Sequence, residues 1–240
     1  MSEALFRDDA YLKSVQATVT AHADDGIIVD KTVFYAEGGG QPGDCGTVTF
    51  DGVSLPIVNA VYGPDKSAIV HQLEDGSELP PVGSSVALTL DWERRHAHMR
   101  MHTALHLLCS IIPHPVTGGS IGASESRLDF DMPENVDKSE VTNALMALVA
   151  DDHKTAARWI TDEELDQNPD LVRTLSVKPP RGSGKIRLIA IGEDGAVDLQ
   201  PCGGTHVIST AEIGEIHIGK IEKKGKMNRR LRVRFGPLPQ

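Results

Sequence analysis

Over the first ninety residues, apolar and polar positions alternate in short runs broken by turn residues. Residues 15–19 and 27–29 flank a turn at Asp25-Gly26, and residues 47–50 and 53–57 flank another at Asp51-Gly52. Residues 68–73 and 86–90 continue the series. Short strands separated by Gly, Pro and Asp predict a small barrel or sandwich. At Asp91 the period changes. Residues 92–112 hold no Gly or Pro and are closed by Pro113, which predicts a helix of about five turns. Met101, Leu105, Leu108 and Ile112 fall on one apolar stripe of it.

Residues 117–131 read as mostly extended. Asp137-Lys-Ser-Glu140 predicts a capping box that opens a helix carrying Val141, Leu145 and Leu148 and ending near Trp159. Thr161-Asp-Glu-Glu164 starts a shorter helix, stopped at Pro169. Residues 179–184 read as a loop. Residues 186–191, 197–199, 213–221 and 231–235 read as strands. The expected organisation is a β-barrel domain over residues 1–90 and an α+β domain over residues 91–240.

Composition adds little to this. At 240 residues, 40% hydrophobic and 24% charged, the chain is ordinary globular protein. No apolar run approaches the 18 residues of a membrane span, and the first residues lack the regions of a signal peptide. Three scattered cysteines fit no disulfide framework, so a reducing, cytoplasmic location is expected. The net charge of −10 at first speaks against a nucleic-acid partner. It is unevenly placed: residues 220–235 carry eight basic side chains and one acidic, a local +7 that leaves −17 on the rest. Residues 173–187 add five basic and no acidic residues. Such a stretch is either a charge-guarded strand edge or a phosphate-binding surface.

The chemistry lies in two spaced pairs. His102 and His106 stand four apart on the long helix, on one face, the way a helix offers two imidazoles to one metal. Position 103 is Thr, so this is not the metalloprotease HExxH pattern. Far downstream, Pro201-Cys-Gly-Gly-Thr-His206 puts a thiol and an imidazole four apart on a glycine-bearing turn. Together they make a suitable N₃S zinc set. His98 and Cys109 are competing ligands by spacing, although Cys109 in its apolar setting reads as a buried small hydrophobe. Four protein ligands would close a structural site, and three would leave room for water or substrate. Ala36-Glu-Gly-Gly-Gly-Gln-Pro-Gly-Asp44 is a loop whose glycines allow positive φ and close approach to a ligand, matching neither a P-loop nor a Rossmann turn.

The ordered set Phe34-Tyr-Ala-Glu-Gly-Gly-Gly-Gln-Pro-Gly-Asp44, Arg100-Met-His-Thr-Ala-Leu-His106, Pro201-Cys-Gly-Gly-Thr-His206 and Glu212-Ile-Gly-Glu-Ile216 resembles the AlaX family of alanyl-tRNA editing proteins, in its medium-length form. The resemblance implies an amino-terminal barrel followed by an α+β domain similar to the threonyl/alanyl-tRNA synthetase editing fold. It implies hydrolysis of mischarged tRNA(Ala), chiefly the seryl and secondly the glycyl ester, with one Zn²⁺ held by His102, His106, Cys202 and His206. It makes Thr117, with Ser120 as runner-up, the candidate sensor of the seryl hydroxyl, through a hydrogen bond that rewards serine. It makes Gly38, Gly39, Gly40 and Gln41 candidate donors to the substrate, against the plain alternative of a barrel turn. The acceptor end of tRNA(Ala) is the implied partner, with Arg181, Lys185, Lys223, Lys224, Arg229 and Arg230 as backbone contacts. No membrane and no obligate protein partner are expected. The alternatives are a tRNA-binding module with a purely structural zinc and a zinc-dependent esterase of small molecules. Aminoacylation is not expected, since no ATP-binding core is recognisable.

Overall fold

The computed structural model describes residues 2–175 and 185–239. It is an α+β chain that divides into two compact units within a helix, between His96 and Ala97. In the first unit the strands are β1 (Glu3–Ala4), β2 (Ser14–Ala23), β3 (Gly26–Val29), β4 (Lys31–Thr32), β5 (Gly46–Phe50), β6 (Val53–Tyr62), β7 (Ile69–Leu73) and β8 (Ser85–Leu90). Six of them close a barrel in the order β2-β3-β7-β6-β5-β8. The alternation read from sequence is the reason: Ala17, Val19, Val48, Val86 and Leu88 point inward while their neighbours along the strand stay outside. Closure removes the edges an open sheet would expose.

Two polar devices are buried in the same unit. Arg95, with no exposed surface, donates from Nε to both carboxylate oxygens of Asp44 at 2.9 and 3.0 Å and from Nη2 to Asp44 again. The same guanidinium donates to the carbonyls of Val33 and Ala10, and Asp44 accepts from the Tyr35 N–H at 2.6 Å. The pair thus pins three stretches of irregular chain. His71, equally buried, meets the Thr32 hydroxyl at 2.7 Å and lies edge-on to Phe34.

The glycine-rich loop ends in a two-residue hairpin. Gly38 and Gln41 exchange both backbone hydrogen bonds, and Gly39 and Gly40 between them have φ of 57° and 82°. Positive φ at both central positions is a type I′ turn, which asks for glycine. Its tip is exposed, Tyr35 donates its hydroxyl to the Gly38 carbonyl, and Gln41 is buried.

The helix α1 (Trp92–Ile111) follows, then β9 (Val116–Ser120), β10 (Glu125–Asp131), α2 (Lys138–Ala150), β11 (Thr155–Ile160), α3 (Asp162–Gln167), β12 (Ile186–Ile191), β13 (Asp198–Pro201), β14 (Ile216–Gly225) and β15 (Asn228–Phe235). One sheet runs β14-β15-β10-β9 and a second β11-β12-β13. The helix α2 packs on β14, with the Thr142 hydroxyl accepting the Ile218 N–H at 3.0 Å. Among the described residues, no helix is long and apolar enough to cross a membrane.

Three local expectations are revised. The helix read through to Trp159 stops at Ala150, because Asp152 adopts a left-handed φ of 51° and residues 155–160 pair antiparallel with β12. Strand pairing overrides the continued helical pattern. The strand read from residue 213 begins at Ile216, after a 3₁₀ turn over Thr210–Ile213 and Gly214 at φ 69°. The apolar stripe of α1 widens to every residue from 101 to 109, all of them buried. Thr161 and Glu164, by contrast, form the reciprocal capping box that their spacing predicts for α3.

Candidate metal centre

The helix α1 carries His102 and His106 one turn apart, and the loop that leaves β13 carries Cys202 and His206. The ligand atoms of all four lie within 4.8 Å of one another. Cys202 Sγ stands 3.5 Å from His102 Nε2 and 3.3 Å from His206 Nε2. A tetrahedral ion with bonds of about 2.0–2.3 Å has ligand–ligand edges of about 3.3–3.7 Å, so these separations suit a single cation. Three imidazoles and one thiolate suit zinc or a similarly soft divalent ion. His98 and Cys109 stay outside the cluster. Burial pushes the Cys109 thiol up to about 12, as befits a small hydrophobe.

The surroundings aim the ligands. His106 Nδ1 lies 2.8 Å from Asp198 Oδ2 on β13, and Gln200 donates to the same oxygen at 2.8 Å. Asp198 and Gln200 alternate onto one face of the strand. The Cys202 loop is held by Arg187 of β12, whose Nη1 donates to the carbonyls of Cys202 at 3.0 Å and Gly204 at 2.8 Å. The Gly204 N–H in turn points at the sulfur, 3.4 Å away. From α1, Arg100 donates twice to the Ile213 carbonyl and fixes the chain downstream of the loop.

Electrostatics follow the crowding. Burial disfavours a thiolate at Cys202, but the His102 and His206 imidazoles outweigh it and hold the thiol well below its ordinary value. Burial and the neighbouring His102 keep His206 neutral, far below the usual histidine range. At His106 burial pulls the other way from its hydrogen bonds to Asp198 and Cys202, and the bonds win, raising it to about 9.

The remaining sequence candidates are distributed differently. Thr117 on β9 donates to the Asp129 carbonyl at 3.1 Å and accepts from Asn228 at 2.7 Å, and Ser120 is exposed at the end of the same strand. Arg229 and Arg230 are already engaged within the protein. Arg229 is buried with its guanidinium on the carbonyls of Pro133, Gly225 and Lys226, and Arg230 grips Asp129 with two bonds of 2.7 and 2.8 Å. The same holds along β15: Arg232 binds Glu222 and Glu125, and Arg234 binds Glu125. The Arg232 bond holds the Glu222 carboxyl at about 2. Three of the four arginines of β15 are therefore ion-paired with Glu222 or with carboxylates of β10, while Arg229 binds carbonyl oxygens and the stretch keeps a net positive charge. Lys185, Lys223 and Lys224 are exposed, and Arg181 lies outside the described residues. Asp198, Gln200 and Arg187 were missed by the spacing argument. The alternation in Val197-Asp-Leu-Gln-Pro-Cys202 carried the signal for the first two.

A closed barrel followed along the chain by an α+β unit with a His₃Cys cluster fits the class of the aminoacyl-tRNA synthetase editing modules. The family described as threonyl and alanyl tRNA synthetase second additional domain matches residues 186–232, and the class II (A) tRNA synthetases match residues 4–94. The alanyl-tRNA editing protein AlaX-M of Methanosarcina mazei is 34% identical over 96% of this chain and 95% of its own length, and that of Saccharolobus solfataricus is 31% identical over 96% and 98%. The alanine–tRNA ligase of Pyrobaculum aerophilum is 36% identical over 91% of this chain but only 25% of its own. The chain belongs to the AlaX-M family of alanyl-tRNA editing proteins.

Proposed function

We propose that this chain is a trans-editing hydrolase that deacylates mischarged tRNA(Ala), chiefly its seryl and secondly its glycyl ester, with Zn²⁺ held by His102, His106, Cys202 and His206. The convergence of three buried imidazoles and the half-buried Cys202 thiol in a chain of the AlaX-M family carries the reading. In the reaction, water adds to the acyl carbon, the ester C–O bond breaks, and the proton passes to the leaving ribose oxygen. An aminoacyl ester on ribose is already activated, so positioning and oxyanion stabilisation suffice. Zn²⁺ bound at the cluster would supply Lewis acidity to that step. Asp198, Gln200 and Arg187 hold the donor groups in place for it.

The tight turn at Gly38, Gly39, Gly40 and Gln41 is proposed as a substrate contact, with its exposed glycine tip as the reactive face. Thr117, with Ser120 as runner-up, is the proposed sensor of the seryl hydroxyl. Loss of seryl over glycyl preference in Thr117→Val or Ser120→Ala would assign that role. With Arg230, Arg232 and Arg234 ion-paired and Arg229 buried, the proposed phosphate contacts are Lys223 and Lys224 on the β14–β15 hairpin and Lys185.

Deacylation of Ser-, Gly- and Ala-tRNA(Ala) by the intact protein and by Cys202→Ala tests the proposal. Intact protein that spares all three esters sinks it. The presence of four protein donors also favours a second reading, in which the ion is structural and the chain a tRNA-binding module. Cys202→Ala that keeps its fold but loses activity selects the first reading over the second. Hydrolysis of a simple serine ester at the same rate as Ser-tRNA(Ala) would instead point to a small-molecule esterase.

A further inference from the structure

Thr103 stands where a metalloprotease helix carries its glutamate base, and the hydrolase reading leaves it without a role. It is completely buried on α1, between the two histidine ligands. Its hydroxyl oxygen has three polar neighbours: the Met99 carbonyl at 3.0 Å, the Val207 N–H at 3.3 Å and His206 Nδ1 at 3.2 Å. A hydroxyl has one hydrogen to give and two lone pairs to offer. The Met99 carbonyl only accepts, so it takes the hydrogen, in the i−4 bond common to helical threonine. The Val207 N–H only donates, so it fills one lone pair.

What remains for His206 is the second lone pair, and Nδ1 must therefore carry the hydrogen of the neutral ring. That leaves Nε2 bare, and Nε2 is the nitrogen facing Cys202 Sγ at 3.3 Å. The opposite arrangement, with Thr103 donating to Nδ1, would put the ring hydrogen on Nε2 and close that nitrogen to any cation. We propose that Thr103 is a positioning residue that fixes the tautomer of His206 and so completes the metal-binding set. It does for His206 what Asp198 does for His106, with a neutral hydroxyl in place of a carboxylate. Orienting partners of this kind are common around metal-binding histidines.

The inference rests on the reading that the cluster holds a metal ion, and its test separates the two. Zn²⁺ affinity, by competition with a chromogenic chelator, and the optical spectrum of the Co²⁺ form are compared for wild type, Thr103→Val and Thr103→Ser. Thr103→Val should lose about 10- to 100-fold in Zn²⁺ affinity and shift its Co²⁺ bands. Thr103→Ser, which keeps the hydroxyl, should restore both. Thr103→Val with wild-type affinity and spectrum overturns the inference, even if its melting temperature falls, since that is the mark of a merely structural hydroxyl. A wild-type chain that binds neither ion overturns the metal reading itself, and this one with it. Should Thr103→Val fail to fold, the His206 tautomer in the metal-free wild type decides by long-range ¹H–¹⁵N correlation. A hydrogen on Nδ1 supports the proposal, and one on Nε2 overturns it.

Discussion

The Nδ1 nitrogen of His106 lies 2.8 Å from Oδ2 of Asp198, a carboxylate with no exposed side-chain surface. The bond crosses from α1 to β13, and it fixes which face of the imidazole meets the cluster. Removing the carboxylate in Asp198→Ala should weaken Zn²⁺ binding by about 10- to 100-fold, with Asp198→Asn between it and wild type. Chelator competition on the three proteins measures this. Equal affinities would show that the sheet alone orients His106.

In the first unit, Arg95 and Asp44 are a fully desolvated ion pair. Asp44→Ala leaves a guanidinium with only carbonyl partners at zero exposure and should cost about 3–5 kcal/mol in urea unfolding. A loss near 1 kcal/mol, the value of an exposed pair, would contradict the geometry.

His71 sets an acid limit for the same unit. Burial, partly offset by the Ile27 carbonyl, lowers it from 6.5 to about 4. A folded-state value below the unfolded one means that the unfolded chain takes up the proton first. Its contribution is intact above pH 6.5 and is lost as pH falls toward 4, a difference of about 3 kcal/mol. His71→Gln should flatten the stability profile between pH 6.5 and 4. A profile as steep as wild type would assign the acid limb to other groups.

Lys223 and Lys224 are exposed at the β14–β15 hairpin, Lys224 with its amino group 3.7 Å from Glu222. The double change Lys223→Ala with Lys224→Ala should lower the log–log salt slope of tRNA binding by about 0.7–0.9 per lost phosphate contact. Arg232→Ala, which breaks bonds to Glu222 and Glu125, should lower melting temperature with little effect on that slope. An unchanged slope in the lysine variant and a reduced one in Arg232→Ala would reverse the assignment.

Much of this arrangement was legible from residues alone, because its signals were local. Period-two runs marked the barrel strands, Thr161 and Glu164 marked a helix start, and two four-residue spacings marked the cluster. What escaped was set by partners distant in sequence. Trp159 lies in a strand because β12 lies beside it, which no window around residue 159 contains. The basic residues of β15 looked like a phosphate surface because Glu125 and Asp129, about a hundred residues earlier, were not yet beside them. Composition counts charges but does not pair them.

Bringing Cys202 within 3.5 Å of His102 closes a ring of chain one hundred residues around. In an unfolded chain a cation would have to close that ring itself, against an entropy that grows with the logarithm of its length. Here the ring is shut beforehand by strand pairing, by Arg187 on the Cys202 loop and by Arg100 on the segment beyond it. An arriving ion meets donors already gathered, so its binding free energy goes into coordination rather than into assembling the unit. Metal removal should then leave the α+β unit folded, with the cluster as the part that loosens first.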